Sequence, residues 1–275
     1  MTRKLMLFSF LFILSFYGFA QQSENLPKSV IYKKVDTTIL KMNVLYPDSI
    51  EKNKQYPCIV FFFGGGWKTG SVNQFRNQAN HYTKNGMVCF LVDYRIKLRQ
   101  GTTPFESLKD AKSAIRFIRK NAQLFQINKD SIVASGGSAG GHLAAATALI
   151  DSFDESTDDL SISAKPNALI LFNPVIDNGP GGYGFERIGD EYKDFSPLHN
   201  IQKNAPPTII FLGTKDNLIP VTTVQYYKTV MEKVGSRCDL ILYEGMGHGF
   251  FGKGIYLEKT LVEADVFLRS LGFIQ

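Results

Sequence analysis

A serine stands among glycines at residues 136–140, Gly-Gly-Ser-Ala-Gly. The β-rich run Ser131–Ser135 precedes it and an Ala- and Leu-rich stretch follows. A serine hydroxyl is a poor nucleophile until a base takes its proton and an acid orients that base. Both partners occur downstream: Asp216 in GTKDNLIP and His248 in GMGHGF. A G-x-S-x-G between strand and helix makes a sharp turn that lifts the serine oxygen into open space, and its partners follow in the order Ser, acid, His. Ser138, Asp216 and His248 keep that order, each just past a β-rich run. The chemistry such residues perform is acyl transfer through a covalent serine intermediate.

The glycines have separate uses. Gly136 and Gly140 leave room where strand and helix backbones nearly touch, and Gly137 leaves room around the hydroxyl. The helix N-terminus behind Ser138 presents unsatisfied N–H groups, and that of Ala139 can face a developing oxyanion. A second glycine knot, FFFGGGWKTGS, follows the run Cys58–Phe63. There Gly65 and Gly66 are candidate partners for the same oxyanion; losing one such donor typically costs roughly 10²–10³ in turnover. Asp177 and Glu244 are alternatives for the acid. Among the other histidines, His142 falls one turn past Ser138 and reads as structural. His81 has no acid close in sequence, and His199 lies where it could touch substrate.

The elements that must position these residues alternate. Eight β-rich runs are Val30–Val35, Ile39–Leu45, Cys58–Phe63, Val88–Val92, Ser131–Ser135, Ala168–Phe172, Thr208–Leu212 and Leu240–Tyr243. Helical stretches over 75–85, 104–121, 141–151, 221–234 and 257–271 separate the later ones; in the second, Leu108, Ala111, Ile115 and Ile118 recur at helical spacing. This pattern predicts an α/β chain with a mostly parallel sheet of about eight strands, helices on both faces, and an antiparallel start where no helix separates the first two runs. Residues 177–200 break the alternation with Gly, Pro and charge. They are read as a small insertion, either a substrate-shaping loop beyond the strand ends or a surface Ω-loop. Trp67, Tyr183, Phe185 and His199 are candidate substrate contacts; the insertion's aromatics could equally be its own packing core.

Residues 1–20 carry Arg3 and Lys4, an apolar run over 5–17 and small residues at 18–20. This is the anatomy of a cleaved secretory signal, too short to span a bilayer. Residues 21–275 are then one domain, expected to be secreted or periplasmic with no stable membrane span. Loss of Arg3 and Lys4 lowers Lys and Arg from 31 to 29 against 25 Asp and Glu, a net +4. The only basic cluster, Arg116, Arg119 and Lys120, reads as a solvated helix face, so nucleic acid is not an expected partner. Cys58, Cys89 and Cys238 each sit in an apolar run and read as core residues. No cluster suggests a metal, and the chemistry needs no cofactor.

FGGGW at 63–67, DYR at 93–95, GGSAGGH at 136–142, GTKDNLIP at 213–220 and GMGHGF at 245–250 together resemble the α/β-hydrolase superfamily. The likeness is to its hormone-sensitive-lipase-like and carbohydrate esterase branch. It covers essentially the whole chain after residue 20. It implies the α/β-hydrolase fold and a secreted serine esterase acting on carboxylic esters, with acetyl or other acyl groups on carbohydrate as the substrate class. The branch usually has His where this chain has Phe63. That His braces the oxyanion loop, so Phe63 puts the loop geometry in question. Two other readings stay open: a serine peptidase similar to the prolyl oligopeptidase catalytic domain, and a non-catalytic binding protein on a hydrolase scaffold.

Overall fold

A computed structural model describes residues 26–275. The leader expected over 1–20 lies outside the described residues. No helix among them is long and apolar enough to cross a membrane. Eight strands form one sheet: β1 Ser29–Val35, β2 Thr38–Leu45, β3 Tyr56–Phe62, β4 Val88–Val92, β5 Ile127–Gly137, β6 Ala168–Phe172, β7 Thr208–Gly213 and β8 Cys238–Tyr243. Their order is β1-β2-β4-β3-β5-β6-β7-β8. β1 pairs antiparallel with β2, and β2 antiparallel with β4; every other pairing is parallel. This is the mostly parallel eight-stranded sheet with an antiparallel start that the alternating pattern implied.

The sequence of each strand explains its place. β3, β4, β6 and β7 are apolar almost throughout and buried, as strands covered on both faces must be. Successive side chains serve opposite cores: Ile59 and Phe61 one, Val60 and Phe62 the other. The helices are α1 Arg76–Lys84, α2 Lys97–Gln100, α3 Pro104–Lys120, α4 Ala139–Leu149, α5 Phe185–Ile188, α6 Tyr192–Phe195, α7 Val221–Lys233 and α8 Gly254–Ser270. α3, α4 and α7 pack on one face through residues such as Leu108, Leu143 and Tyr227. α1 and α8 cover the other through Tyr82 and Phe267. α3 begins with Pro104 and a Thr103–Glu106 capping box. Register puts Phe62 beside Gly136, Gly137 beside Phe172, and Gly213 beside Tyr243. The loops leaving these carboxyl ends therefore converge on one edge of the sheet.

The insertion at 177–200 is not irregular throughout. It holds the single-turn helices α5 and α6, with Ile188 and Phe195 buried. The three cysteines are free and buried, and burial pushes their thiols well above the usual range.

The basic cluster on α3 is not the solvated face its sequence suggested. Arg116 is 9% exposed and pairs with Asp154 and Asp158. Arg119 donates to the carbonyls of Lys129, Ser163 and Lys165. Only Lys120 is exposed. The acids come from the 151–165 connection, too far along the chain for local charge patterning to reveal. Their network reaches Asp110, which has no exposed side-chain surface and pairs with Lys33 at 2.7 Å and Arg95 at 2.8 Å. Removing one partner of a buried pair strands the other's charge, at about 3–5 kcal/mol. Asp110→Asn should therefore lower unfolding free energy by about 3 kcal/mol in urea melts. A loss under about 1 kcal/mol would mean that Glu155 alone neutralises both cations.

Candidate active site

Ser138 sits at the elbow between β5 and α4, with φ +54 and ψ −121. That conformation costs a non-glycine residue about 1–3 kcal/mol unless its surroundings hold it. They do. Ser138 N–H donates to Phe172 O at 3.0 Å, and Ser138 O accepts from His142 and Val175 N–H at 3.0 and 3.1 Å. Although Ser138 occupies the N-cap position of α4, its hydroxyl makes no cap bond. It remains available at a cleft of about 270 Å³ lined also by Gly64, Gly65, Gly66, Asn173 and His248.

A Cβ on Gly136 would lie 2.7 Å from Phe62 O, and one on Gly140 would strike the same carbonyl harder. The clearance expected at both positions is thus real, and the end of β3 shares it. Gly137 has a different role from the one its sequence suggested. A Cβ there would come within 2.6 Å of the Phe251 ring, so it makes room for an aromatic wall rather than for the hydroxyl.

Asp216 and His248 come together from the ends of β7 and β8. His248 Nδ1 lies 2.8 Å from Asp216 Oδ2. Asp216 Oδ1 accepts the Leu218 and Ile219 N–H groups at 2.9 and 3.0 Å. Burial pushes the Asp216 carboxyl up. The His248 hydrogen bond, the two backbone N–H groups and the His248 charge outweigh it and hold the group below its ordinary value. An ionised acceptor on Nδ1 requires the proton there, which leaves Nε2 with its lone pair. Asn173 Nδ2 lies 3.3 Å from that Nε2, while its Oδ1 accepts Gly249 N–H at 3.2 Å. Asn173 is buried, with φ +34. Of the alternative acids, Asp177 lies 4.0 Å from His199, and Glu244 makes no contact with His248.

The glycine loop after β3, the candidate oxyanion loop, is built from its own turn. Gly65 O accepts Lys68 and Thr69 N–H at 3.1 Å each. These bonds fix the peptide plane that carries Gly66 N–H. Gly65 and Gly66 have φ +128 and +63, where a side chain is strained. The N–H groups of Gly65, Gly66 and Ala139 make no hydrogen bond among the described residues. Phe63 stacks on Tyr94 at 4.1 Å, and Tyr94 Oη donates to Phe63 O at 2.6 Å. Phe63 itself offers the loop no side-chain hydrogen bond; Gln74 holds it instead through Oε1, which accepts Gly64 N–H at 2.5 Å.

The substrate-contact candidates separate. Tyr183 lines the cleft with Leu218 and Phe251. Trp67 is 1% exposed and does not line it; its ring packs on His142, Tyr183 and Phe195. Phe185 packs on Tyr192, and His199 sits against Tyr192 and Asp177, both away from the cleft. His142 is fully buried beneath the elbow with Nε2 2.9 Å from Phe195 O; burial pushes it down to about 3 and keeps it neutral. His81 does have an acid, Asp265 on α8 at 3.0 Å, which sequence proximity could not show.

Residues 42–180 match the BD-FAE family. The chain belongs to that family. Residues 182–268 of this BD-FAE member also match the dienelactone hydrolase family. Among solved structures it is similar to apo Thermogutta terrifontis esterase 2, with a TM-score of 0.86 and 42% identity over 91% of this chain and 97% of that one. Further structures of that esterase carry it phosphorylated by paraoxon and with propionate or butyrate bound. Among curated proteins it is 28% identical to an acetylxylan esterase of Xylanibacter ruminicola, over 81% of this chain and 47% of that protein. It is 26% identical to the esterase LipC of Mycobacterium tuberculosis, over 72% of this chain and 54% of that protein. The chain thus spans about half the length of the curated relatives it matches. Fold and family agree in placing it in the esterase branch of the α/β-hydrolases.

Sequence reasoning missed Gln74, Asn173, Leu218 and Phe251. Asn173 carried one signal, its place immediately after β6 at the sheet's carboxyl edge. Gln74 carried none, because it reaches back ten residues to a backbone N–H. Since Gln74 steadies the loop without being one of its free donors, Gln74→Ala should lower kcat about tenfold with KM little changed, less than loss of a donor itself. An unaltered kcat in steady-state assays would remove Gln74 from the loop's support.

Proposed function

We propose that this chain is a serine esterase that hydrolyses carboxylic esters, with short acyl groups on carbohydrate as its substrate class. The observation that carries the reading is that His248, paired with Asp216 at 2.8 Å, lines the same cleft as the elbow Ser138. His248 Nε2 takes the Ser138 proton as Oγ attacks the ester carbonyl carbon. The electron pair displaced from the C=O bond rests on oxygen, facing the N–H groups of Gly65, Gly66 and Ala139. Collapse expels the alcohol, which receives the proton from His248 and leaves an acyl-serine. Water, deprotonated by the same Nε2, attacks that ester, and the acid departs as Ser138 regains its proton. Asp216 stays ionised throughout and stabilises the imidazolium.

The acyl side follows from the cleft. Its volume of about 270 Å³ is walled by Phe251, Leu218 and Tyr183, which suits an acetyl to butyryl chain. Thermogutta esterase 2 with propionate or butyrate bound supports the same size. The carbohydrate side rests on the likeness to an acetylxylan esterase and on the open edge of the cleft. Export rests on the anatomy of residues 1–20 and suits a polymeric substrate that cannot enter a cell.

Paraoxon offers a test independent of substrate choice. One equivalent should abolish p-nitrophenyl acetate hydrolysis, with release of p-nitrophenolate and a single phosphoryl group on the peptide bearing Ser138. Ser138→Ala should be inert to both reagents while keeping its far-UV spectrum. Labelling elsewhere, or turnover persisting in that variant, would overturn the mechanism. For export, mass spectrometry of the protein from the source cells' exterior or periplasm should find Gln21 as its first residue. A cytoplasmic chain retaining residues 1–20 would overturn it.

A further inference from the structure

His248 stands in a connection between β8 and α8, residues 244–253, that contains four glycines, so its own backbone holds the ring weakly. Asn173, just past the end of β6, bonds to two consecutive residues of that connection. Its Oδ1 accepts Gly249 N–H at 3.2 Å, and its Nδ2 lies 3.3 Å from His248 Nε2. The Gly249 bond decides which way the amide faces, because a backbone N–H needs the oxygen and leaves the amino group for the ring. An amide NH₂ only donates, so it bonds to Nε2 only while that nitrogen carries no proton. A ring whose Nδ1 proton is directed at Asp216 Oδ2, 2.8 Å away, supplies such an Nε2. No hydrogen bond joins Ser138 Oγ to His248 among the described residues, so the partner of Nε2 is Asn173. The backbone around Asn173 is tied to the other two connections of the site. Asn173 N–H donates to Phe211 O on β7 at 2.7 Å, and Val175 N–H to Ser138 O at 3.1 Å. Asn173 is 1% exposed at φ +34, a left-handed backbone that asparagine adopts more readily than most side chains. Asp216 is the only charged group within ion-pair distance of His248 among the described residues. Tyr183 is the only titratable side chain besides His248 that lines the cleft.

We propose that Asn173 is a positioning residue for His248: its amide anchors the glycine-rich connection to β6 and holds the ring with Nε2 unprotonated, the form that can take the Ser138 proton. The proposal rests on the esterase reading for its use in catalysis, but the state of the ring can be measured without catalysis. Asn173→Asp keeps an oxygen for Gly249 N–H and changes only the group facing Nε2, from a donor to an anionic acceptor. Asn173→Gly suits the positive φ and removes the amide altogether. Losing a donor that only the neutral ring accepts favours the protonated ring, and a carboxylate in its place favours it further. By NMR of the four histidine rings, with His248→Gln to assign the signal, the His248 titration midpoint should therefore rise in both variants. The rise should be about 0.5–1 pH unit in Asn173→Gly and larger in Asn173→Asp. With p-nitrophenyl acetate, the acid limb of kcat/KM should move to higher pH by the same amounts. A merely structural Asn173 would lower kcat at every pH and leave the midpoint where it is. That result, or a midpoint that falls, would overturn the proposal. Raised midpoints in variants of a protein that itself cleaves no ester would instead leave the positioning role standing and sink the esterase reading.

Discussion

The constraint on which the site depends is the close approach of three backbones beneath Ser138. β5 arrives at Gly136, α4 departs through Gly140, and the carbonyl of Phe62 at the end of β3 fills the space between. Any Cβ at 136 or 140 would push α4 away from the sheet, and Ser138 would lose the bonds to Phe172 O, His142 N–H and Val175 N–H that hold it at φ +54. The strained turn is thus stabilised by parallel strands already in register, not by the turn itself. The same junction starts α4 at Ala139, whose N–H, like those of Gly65 and Gly66, makes no hydrogen bond among the described residues. One packing constraint therefore sets both the elbow conformation of Ser138 and the start of α4.

How much of this was legible in the sequence follows from the range of each interaction. Strand runs, helix periodicity and the antiparallel start depend on local pattern, and the structure reproduces them to within about four residues at each end, the largest difference being the earlier start of β5 at Ile127. The residues proposed as a triad could be picked out because sharp glycine turns at strand ends leave a compositional trace. Contacts made across the fold left none. Arg116 looked solvated because its acids lie about forty residues away, at Asp154 and Asp158. His81 looked unpaired because Asp265 is 184 residues on. Trp67 looked like a substrate platform because an aromatic after a glycine loop invites that reading; its burial depends on His142 and Phe195, which only tertiary packing brings there.

Phe63 shows how a lost interaction is replaced rather than tolerated. Phenylalanine cannot hydrogen-bond, but its ring fills the space against Tyr94 and its carbonyl is held by the Tyr94 hydroxyl. A loop N–H, that of Gly64, finds its acceptor in Gln74 Oε1. Tyr94 in turn belongs to the DYR stretch, whose Arg95 is clamped by Asp110 and Glu155. The buried ion network and the oxyanion loop are consequently one mechanical unit, joined through residues 94 and 95.

The insertion belongs to that unit as well. Arg187 donates to Gly66 O and lays its guanidinium 5.2 Å from the Trp67 ring and 5.1 Å from that of Tyr183. Tyr183 is held by Asn178, whose side chain donates to its carbonyl at 2.9 Å, and Asn178 N–H donates to Ser196 Oγ at 2.8 Å. A segment positioned by buried polar bonds has few alternative packings, because each misplacement leaves a donor unmet. The glycine loop after β3 and the insertion therefore share Arg187. The insertion is therefore not a detachable surface feature: a change that reshapes it pulls on Gly66 O, in the wall of the same cleft as Ser138.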